Sequence, residues 1–317
     1  MLHMKEWTQT REPLSVSVII PTKNRPADLG TTLKSVLTQS LAPTQLIIVD
    51  QSMTNESRLE VERVFAACGG RGIELRSIRD PGIPGGAVAR NKAMDFATGN
   101  IWLFLDDDVI LEPTFLEELV RAYGRRPEAA GISGIVTNYA LPSRAFRLWR
   151  WLFARGPFHD ERQWIYWNAE RLRNEEPIRV SKLGGGLMSF RAEVIRGMRF
   201  DDNLVGVSDG EDVDFCMRLG PKAALFVAPR ARLLHRQSPS GRELDHQLRR
   251  EARAKHYLYY RNWNHGIRNK LYFIWLNVGY GLAATAACLR RTSLAPWRAL
   301  VTGMREGKRA FRIRSHG

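Results

Sequence analysis

Three consecutive aspartates, Asp106, Asp107 and Asp108, follow directly on the apolar run Ile101-Trp-Leu-Phe-Leu105. Adjacent carboxylates repel one another, so the triplet gains no stability from lying at the lip of a core. Solvent, arginine or a metal ion must neutralise it. Asp106 and Asp108, with one residue between them, project to the same face of an extended segment and can share a ligand. A hard divalent cation, Mg²⁺ or Mn²⁺, takes such oxygens and commonly shares its shell with substrate phosphates. A second acid cluster, GEDVDF at 210–215, sets Glu211, Asp212 and Asp214 at the start of a helical pattern. Carboxylates there can take a proton from a hydroxyl, or simply favour the positive end of the helix dipole.

The elements that must position these acids alternate along the chain. Val16 to Ile20 is a β-branched strand stopped by Pro21, and a helical pattern from Asp28 places Leu29, Leu33, Val36 and Leu37 on one face. LIIVD (46–50) is a second buried strand ending in an acid, followed by a helix over Glu56 to Ala67. IELRSIRD (73–80) is a third strand, AVARNKAMDFA (87–97) a helix closed by Gly99, and the run at 101–105 a fourth strand. Strands alternating with helices indicate a parallel α/β sheet, which binds ligands beyond the carboxyl ends of its strands. Asp50 and Asp106–Asp108 lie at such ends, so they should share one crevice. Beyond Pro127 the pattern is less regular: a Gly-rich turn, strand and helix start over 182–195, the acid-opened helix at 208–220, and a strand over 224–236 running into a basic loop.

SVIIPTKNR, LIIVDQS, ARNKAMDFATGNIWLFLDDDV, GGGLMSFRAEV and GEDVDFCMRLG occur in this order between residues 16 and 236. Together they resemble glycosyltransferase family 2. The resemblance implies the GT-A fold, a Rossmann-like, mostly parallel α/β sheet with flanking helices, and inverting transfer of a sugar from a nucleotide donor. It implies that Pro21, Thr22, Asn24 and Arg25 form the first loop over the nucleotide. Asp50 would contact the base with Ser52 beside it, although DQSMTN stands where an acid-Gly-Ser run is usual. Arg90 and Asn91 would reach base and diphosphate. Asp106 would approach the ribose and the metal, Asp107, at a variable position, would join the nucleotide-sugar contacts, and Asp108 would hold the metal with His235. Asp212 would be the catalytic base, with Glu211 second, and Asp209 and Asp214 would cap the helix. Arg236 and Arg242 are basic groups within possible reach of the diphosphate. Elementary chemistry agrees: a diphosphate leaving group gains charge that a cation stabilises, and inversion needs a base on the opposite face. Gly184, Gly185 and Gly186 lack Cβ atoms and let backbone approach a donor sugar.

Rival readings remain open on sequence. Asp106-Asp107-Asp108-Val109 approaches the first motif of aspartate-nucleophile phosphatases, although three βα units precede it here. A nucleotidyltransferase would need a glycine-rich, lysine-bearing first loop, which the sequence lacks. A membrane-docked binding protein with a dead site is the non-enzyme alternative.

The 48 Lys+Arg and 33 Asp+Glu residues give a net charge of +15 that is unevenly placed. Up to residue 229 there are 29 of each sign; from 230 onward 19 cations face 4 acids, and 19 − 4 = 15. The tail therefore suits a polyanion. It also holds the uncharged run LYFIWLNVGYGLAATAACL (271–289), flanked by Arg268, Lys270, Arg290 and Arg291. That run fits either a spanning or an interfacial helix, and it favours an anionic membrane surface over nucleic acid. The aromatic–arginine stretch 146–167 suits a headgroup-level patch admitting a lipid-linked acceptor. Three scattered cysteines and an N-terminus without an apolar signal core fit a cytoplasmic protein at the inner face of the plasma membrane. The expected organisation is an N-terminal tail (1–13), a GT-A catalytic domain (14–242, with a nucleotide-binding half 14–126 and an acceptor half 127–242) and a basic helical, membrane-associating C-terminal region (243–317).

Overall fold

The computed structural model describes residues 14–70, 72–204, 210–220, 222–236, 244–263 and 265–314. The chain forms two compact units, one from residues up to Tyr139 together with Arg162–Gln237, the other from Ala140–Glu161 and Ser238–Gly317. The second unit thus takes in 140–161 as well as the C-terminal stretch.

In the first unit, β1 (Val16–Thr22), α1 (Pro26–Leu37), β2 (Gln45–Asp50), α2 (Glu56–Cys68), β3 (Glu74–Arg79), α3 (Gly86–Met94) and β4 (Ile101–Leu105) follow in order. The four strands are parallel, in the order β3-β2-β1-β4. Strands β1, β2 and β4 are buried along their whole length, as their unbroken apolar runs require. β1 does not stop at Pro21 as the sequence predicts. Its pairing to β4 ends at Ile19, whereas its pairing to β2 continues through Pro21 to Thr22, so the imino residue interrupts only one ladder. β3 is an edge strand of mostly exposed, charged residues, which discourages further pairing.

The remainder of this unit contributes β5 (Val109–Leu111), α4 (Phe115–Arg125), β6 (Ala129–Val136), then β7 (Ile178–Val180), β8 (Leu187–Arg191), α7 (Ala192–Ile195), α8 (Glu211–Leu219) and β9 (Ala224–His235). Two helices, α5 (Arg144–Phe153) and α6 (Glu161–Trp167), intervene before β7. Here the sheet is mixed: β8 runs antiparallel to β4 and β6, β6 and β9 are parallel, and β5 and β7 pair antiparallel with β9. Side chains alternate between two cores by the two-residue period of a strand. Val16, Val18, Ile20, Leu103 and Leu105 pack with α1 and α4, and Ile19, Trp102 and Phe104 pack with α3 and α8 on the other face.

The second unit is helical. α9 (Leu244–Asn262), α10 (Ile267–Arg291) and α11 (Ala295–Arg314) join α5 within it. Among the described residues α10 is the helix long and apolar enough to cross a membrane by length and composition.

Candidate active site

Asp50 ends β2 and Asp106–Asp108 follow β4, so the two strands that flank β1 deliver both acid groups to the carboxyl end of the parallel half. The loop after β1 lies between them. Asn24 adopts a left-handed φ of 55°, which Asn tolerates better than most side chains, and its N–H donates to Ser52 Oγ at 2.7 Å. Ser52 N–H in turn donates to Asp50 Oδ1 at 2.9 Å. The other oxygen of Asp50 is buried and has no hydrogen-bond partner among the described residues. A buried carboxylate oxygen left in that state invites an N–H donor from a ligand.

Asp107 turns out to be a strut. Its carboxylate accepts from Thr22 Oγ1 at 2.6 Å and from Arg25 Nη1 at 3.3 Å. Burial pushes its pKa up to about 6, against the pull of the Thr22 hydroxyl and the Arg25 guanidinium. The sequence reading grouped Asp107 and Thr22 with the nucleotide contacts, but their polar groups tie the loop to the aspartate turn. Thr32 completes the turn, donating to the carbonyls of Asp107 and Val109 and accepting from Val109 N–H. It went unnoticed in sequence, yet a polar residue between Leu29, Leu33 and Val36 on a buried helix face was a readable signal.

The antiparallel β5–β9 pairing sets Val109 opposite His235. Consequently His235 Nε2 lies 3.0 Å from Asp108 Oδ1, and ligand atoms of Asp106, Asp108 and His235 all fall within 4.8 Å of one another. Two carboxylates and an imidazole make a donor set suited to a divalent cation such as Mn²⁺. Asn138 holds the histidine's backbone on both sides, accepting from its N–H at 2.9 Å and donating to its carbonyl at 2.8 Å. Arg236 is drawn to Asp28 at 3.4 Å, while Asp209 and Arg242 lie outside the described residues.

Arg90, at 2% exposure, joins the two acid clusters. Nη1 donates to Glu211 Oε1 at 2.9 Å, and Nη2 donates to Asp106 Oδ1 at 3.1 Å and to the Gly185 carbonyl at 3.2 Å. Asn91, its neighbour, is occupied elsewhere. Its amide exchanges hydrogen bonds with the Phe200 backbone at 2.7 and 2.9 Å, which departs from the nucleotide contact expected of it.

The three acids of α8 have different surroundings. Glu211 is buried, and burial lifts its carboxyl to about 7 against the opposing Arg90 charge. Asp214 is fully buried and accepts from Arg218 Nε at 2.8 Å, a structural pair. Asp212 keeps 15% of its side chain exposed; Oδ2 accepts from Gly185 N–H at 2.9 Å, with Arg162 Nη1 at 3.5 Å. Of the three, Asp212 is the one whose carboxylate keeps an open side.

Glu211 carries a pH signature. An acid whose folded pKa, about 7, exceeds its ordinary value of 4.5 holds its proton more tightly in the native state. The stability it contributes is therefore present at low pH and lost as pH climbs from 4.5 through about 7. Thermal melts of the wild type should weaken over that window, and Glu211→Gln should flatten the decline. Equal slopes for both proteins would exclude Glu211 as the titrating group.

A methyl group at Gly186 would stand 2.2 Å from Asp106 Oδ2, so any larger residue there displaces that carboxylate. Gly186→Ala should swing the Asp106 carboxylate aside and weaken Mn²⁺ binding by roughly tenfold. Calorimetric titration with Mn²⁺ would measure this, and an unchanged affinity would remove Asp106 from the cation's ligands.

The family model for glycosyl transferase family 2 matches residues 17–197, more than half of the chain. The chain belongs to glycosyl transferase family 2. Its relatives include a glucosyl-dolichyl phosphate glucuronosyltransferase of Haloferax volcanii, 30% identical over 57% of this chain and 54% of the relative. A PGL/p-HBAD biosynthesis glycosyltransferase of Mycobacterium bovis is 32% identical over 45% of this chain and 56% of that protein. The chain thus spans about half the length of these curated relatives. The 1–349 fragment of S. aureus TarS shares the fold with a TM-score of 0.58 at 16% identity, over 95% of this chain and 82% of that fragment. The mannosyltransferase PcManGT from Pyrobaculum calidifontis does so at 0.56 and 17% identity, over 99% and 91%. The fold of this family 2 glycosyltransferase is therefore GT-A, as the strand order and motifs led one to expect. The family match ends before Glu211, Asp212 and His235, whose places in the site rest on the geometry given above.

Proposed function

We propose that this chain is an inverting, divalent-metal-dependent glycosyltransferase. It moves a hexosyl or deoxyhexosyl group from a UDP, GDP or dTDP donor to a saccharide or lipid-linked acceptor. The observation that carries the reading is the linkage of Asp212 to the cation ligands: Gly185 holds Asp212, the next residue packs on Asp106, and Arg90 touches both sides. A base and an anion-binding centre fixed in one set are what a single displacement at an anomeric carbon requires.

In this reading Asp50 accepts an imide or ring N–H of the base through its unpartnered oxygen, and the loop from Pro21 to Arg25 covers the nucleoside. Arg25, 37% exposed and beside Asp107 and Asp108, is placed to meet a phosphate. Asp106, Asp108 and His235 hold the cation, Mn²⁺ or Mg²⁺. When bound, that ion supplies positive charge to the departing diphosphate. Asp212 takes the proton of the acceptor hydroxyl as its oxygen bonds to the anomeric carbon and the bond to the diphosphate breaks. Gly185 and Arg162 keep the carboxylate oriented until then. Arg90 holds Asp106 and Glu211 in place.

Solved complexes of the same fold support the donor class: the 1–349 fragment of TarS with UDP-GlcNAc, and PcManGT with GDP-Man and Mn²⁺. The Haloferax relative's name supports a lipid-linked acceptor. The setting proposed is assembly of a cell-surface polysaccharide or glycolipid at the cytoplasmic face of a membrane. Titration calorimetry against UDP, GDP and dTDP, with and without Mn²⁺, tests the reading. One diphosphate should bind in a Mn²⁺-dependent manner, and Asp108→Ala should weaken it roughly a hundredfold. A folded protein that binds none of the three would sink the proposal and return the dead-site alternative.

A further inference from the structure

Within the helical unit, α5 and α10 are joined by their inner faces. Trp149 packs on Tyr280 with centroids 5.3 Å apart, and Phe153 on Trp275 at 5.1 Å. Trp149 Nε1 donates to the Gly279 carbonyl at 2.8 Å, and Trp275 Nε1 to the Leu152 carbonyl at 2.9 Å. The outer faces are a different matter. Ile267, Leu271, Ile274, Val278, Leu282 and Leu289 of α10 are all exposed, Leu289 to 77%. Their spacings of 4, 3, 4, 4 and 7 residues keep them on one stripe of the helix. Leu148, Trp151 and Leu152 of α5 are exposed as well, Trp151 to 61%. A soluble domain rarely leaves so much apolar surface in one place without a partner.

Charge identifies that partner. Neither helix contains a single Asp or Glu, whereas α5 carries Arg144, Arg147 and Arg150, and α10 carries Arg268, Lys270, Arg290 and Arg291. Arg291 is engaged by Asp245 of α9 at 3.3 Å, and the stripe with the other cations matches a bilayer with anionic headgroups, where the stripe enters the acyl boundary and those cations stay at the phosphates. A second copy of the chain would bring the same cations to the same face, and they would repel. Crossing the bilayer fits less well. The opposite side of α10 is committed to its own unit through Phe273, Leu276 and Ala284. Tyr280 O–H donates to Glu251, and Asn277 bonds His256 at 2.9 Å, so polar partners on α9 would have to follow the helix into lipid. We infer that the α5–α10 face is a monotopic docking surface for an anionic lipid bilayer, with α10 lying in the plane of the interface along the ~33 Å from Ile267 to Leu289.

Co-flotation of the full chain with vesicles of phosphatidylglycerol or of phosphatidylcholine tests this directly. The expected result is partitioning on the order of tenfold or more stronger to phosphatidylglycerol, and release of the bound protein by an alkaline carbonate wash. The triple variant Leu271→Gln/Val278→Gln/Leu282→Gln should lose at least about tenfold of that partitioning while keeping the wild-type melting temperature. Equal flotation of variant and wild type would overturn the inference. So would carbonate-resistant association, which means spanning, or a dimer that the triple variant dissolves without any change in flotation. Diphosphate binding should be the same in both proteins, so failure here is distinguishable from failure of the donor-site reading.

Discussion

Asp212→Asn should lower kcat by roughly 10³-fold while leaving the affinity for the diphosphate within about twofold. The amide oxygen still accepts from Gly185 N–H, so the start of α8 and the glycine turn should hold their geometry. What disappears is the capacity to take a proton from the acceptor. Glu211→Gln is the informative partner experiment. Glu211 is nearly sealed from solvent and bonded to Arg90, so its replacement should reduce turnover by disturbing position, with a larger effect on KM than on the pH dependence of kcat. Pre-steady-state turnover of the two variants across pH separates the roles. If Asp212→Asn stayed within tenfold of wild type and Glu211→Gln abolished turnover, the base would be Glu211.

Arg90→Met is expected to cost about 3–5 kcal/mol of folding stability, because it leaves Glu211 buried without its counter-charge. For a unit of this size that corresponds to a fall in melting temperature on the order of 10 °C. The loss should be greatest above pH 7, where Glu211 would be ionised, and smaller at pH 5, where it accepts a proton. Adding Glu211→Gln to Arg90→Met should restore a good part of the stability, since the orphaned charge is then gone. Calorimetric melts of the two single variants and the double variant at both pH values would measure this coupling. Strict additivity of the two losses would mean that the 2.9 Å contact carries no net energy.

Much of the site was legible because its parts sit where local patterns end. Asp50 and Asp106 terminate unbroken apolar runs, and such runs can be read from residue types alone. The region beyond Pro127 was harder. β6 reads AAGISGIV, with small residues and two glycines in place of a β-branched run, and the three-residue β5 is too short to show a period. Their identity as strands comes from pairing with β9 and β8, which no local window contains. The same holds for Asn91, beside Arg90 in the chain but bonded to Phe200, 109 residues away. Arg90 itself was singled out by resemblance, but its bridging of Asp106 and Glu211 depends on how α3 meets α8. Asp107 was misplaced because its position in a triplet says nothing about which neighbour turns inward.

His235 reaches Asp108 only because the last strand of the sheet returns beside β5, bringing together residues 127 positions apart. The nucleoside loops, by contrast, are built from β1, β2 and their immediate connections. The two halves of the site therefore have different histories during folding. The loops belong to an early, local segment, whereas the cation ligands come together only after a long loop has closed, which is the slow kind of contact. On a ribosome the Asn24–Ser52–Asp50 cradle can form before β9 is synthesised, whereas the Asp106–Asp108–His235 cluster is complete only with the final strand. In the proposed reading, cation binding would then report that the whole sheet is in register.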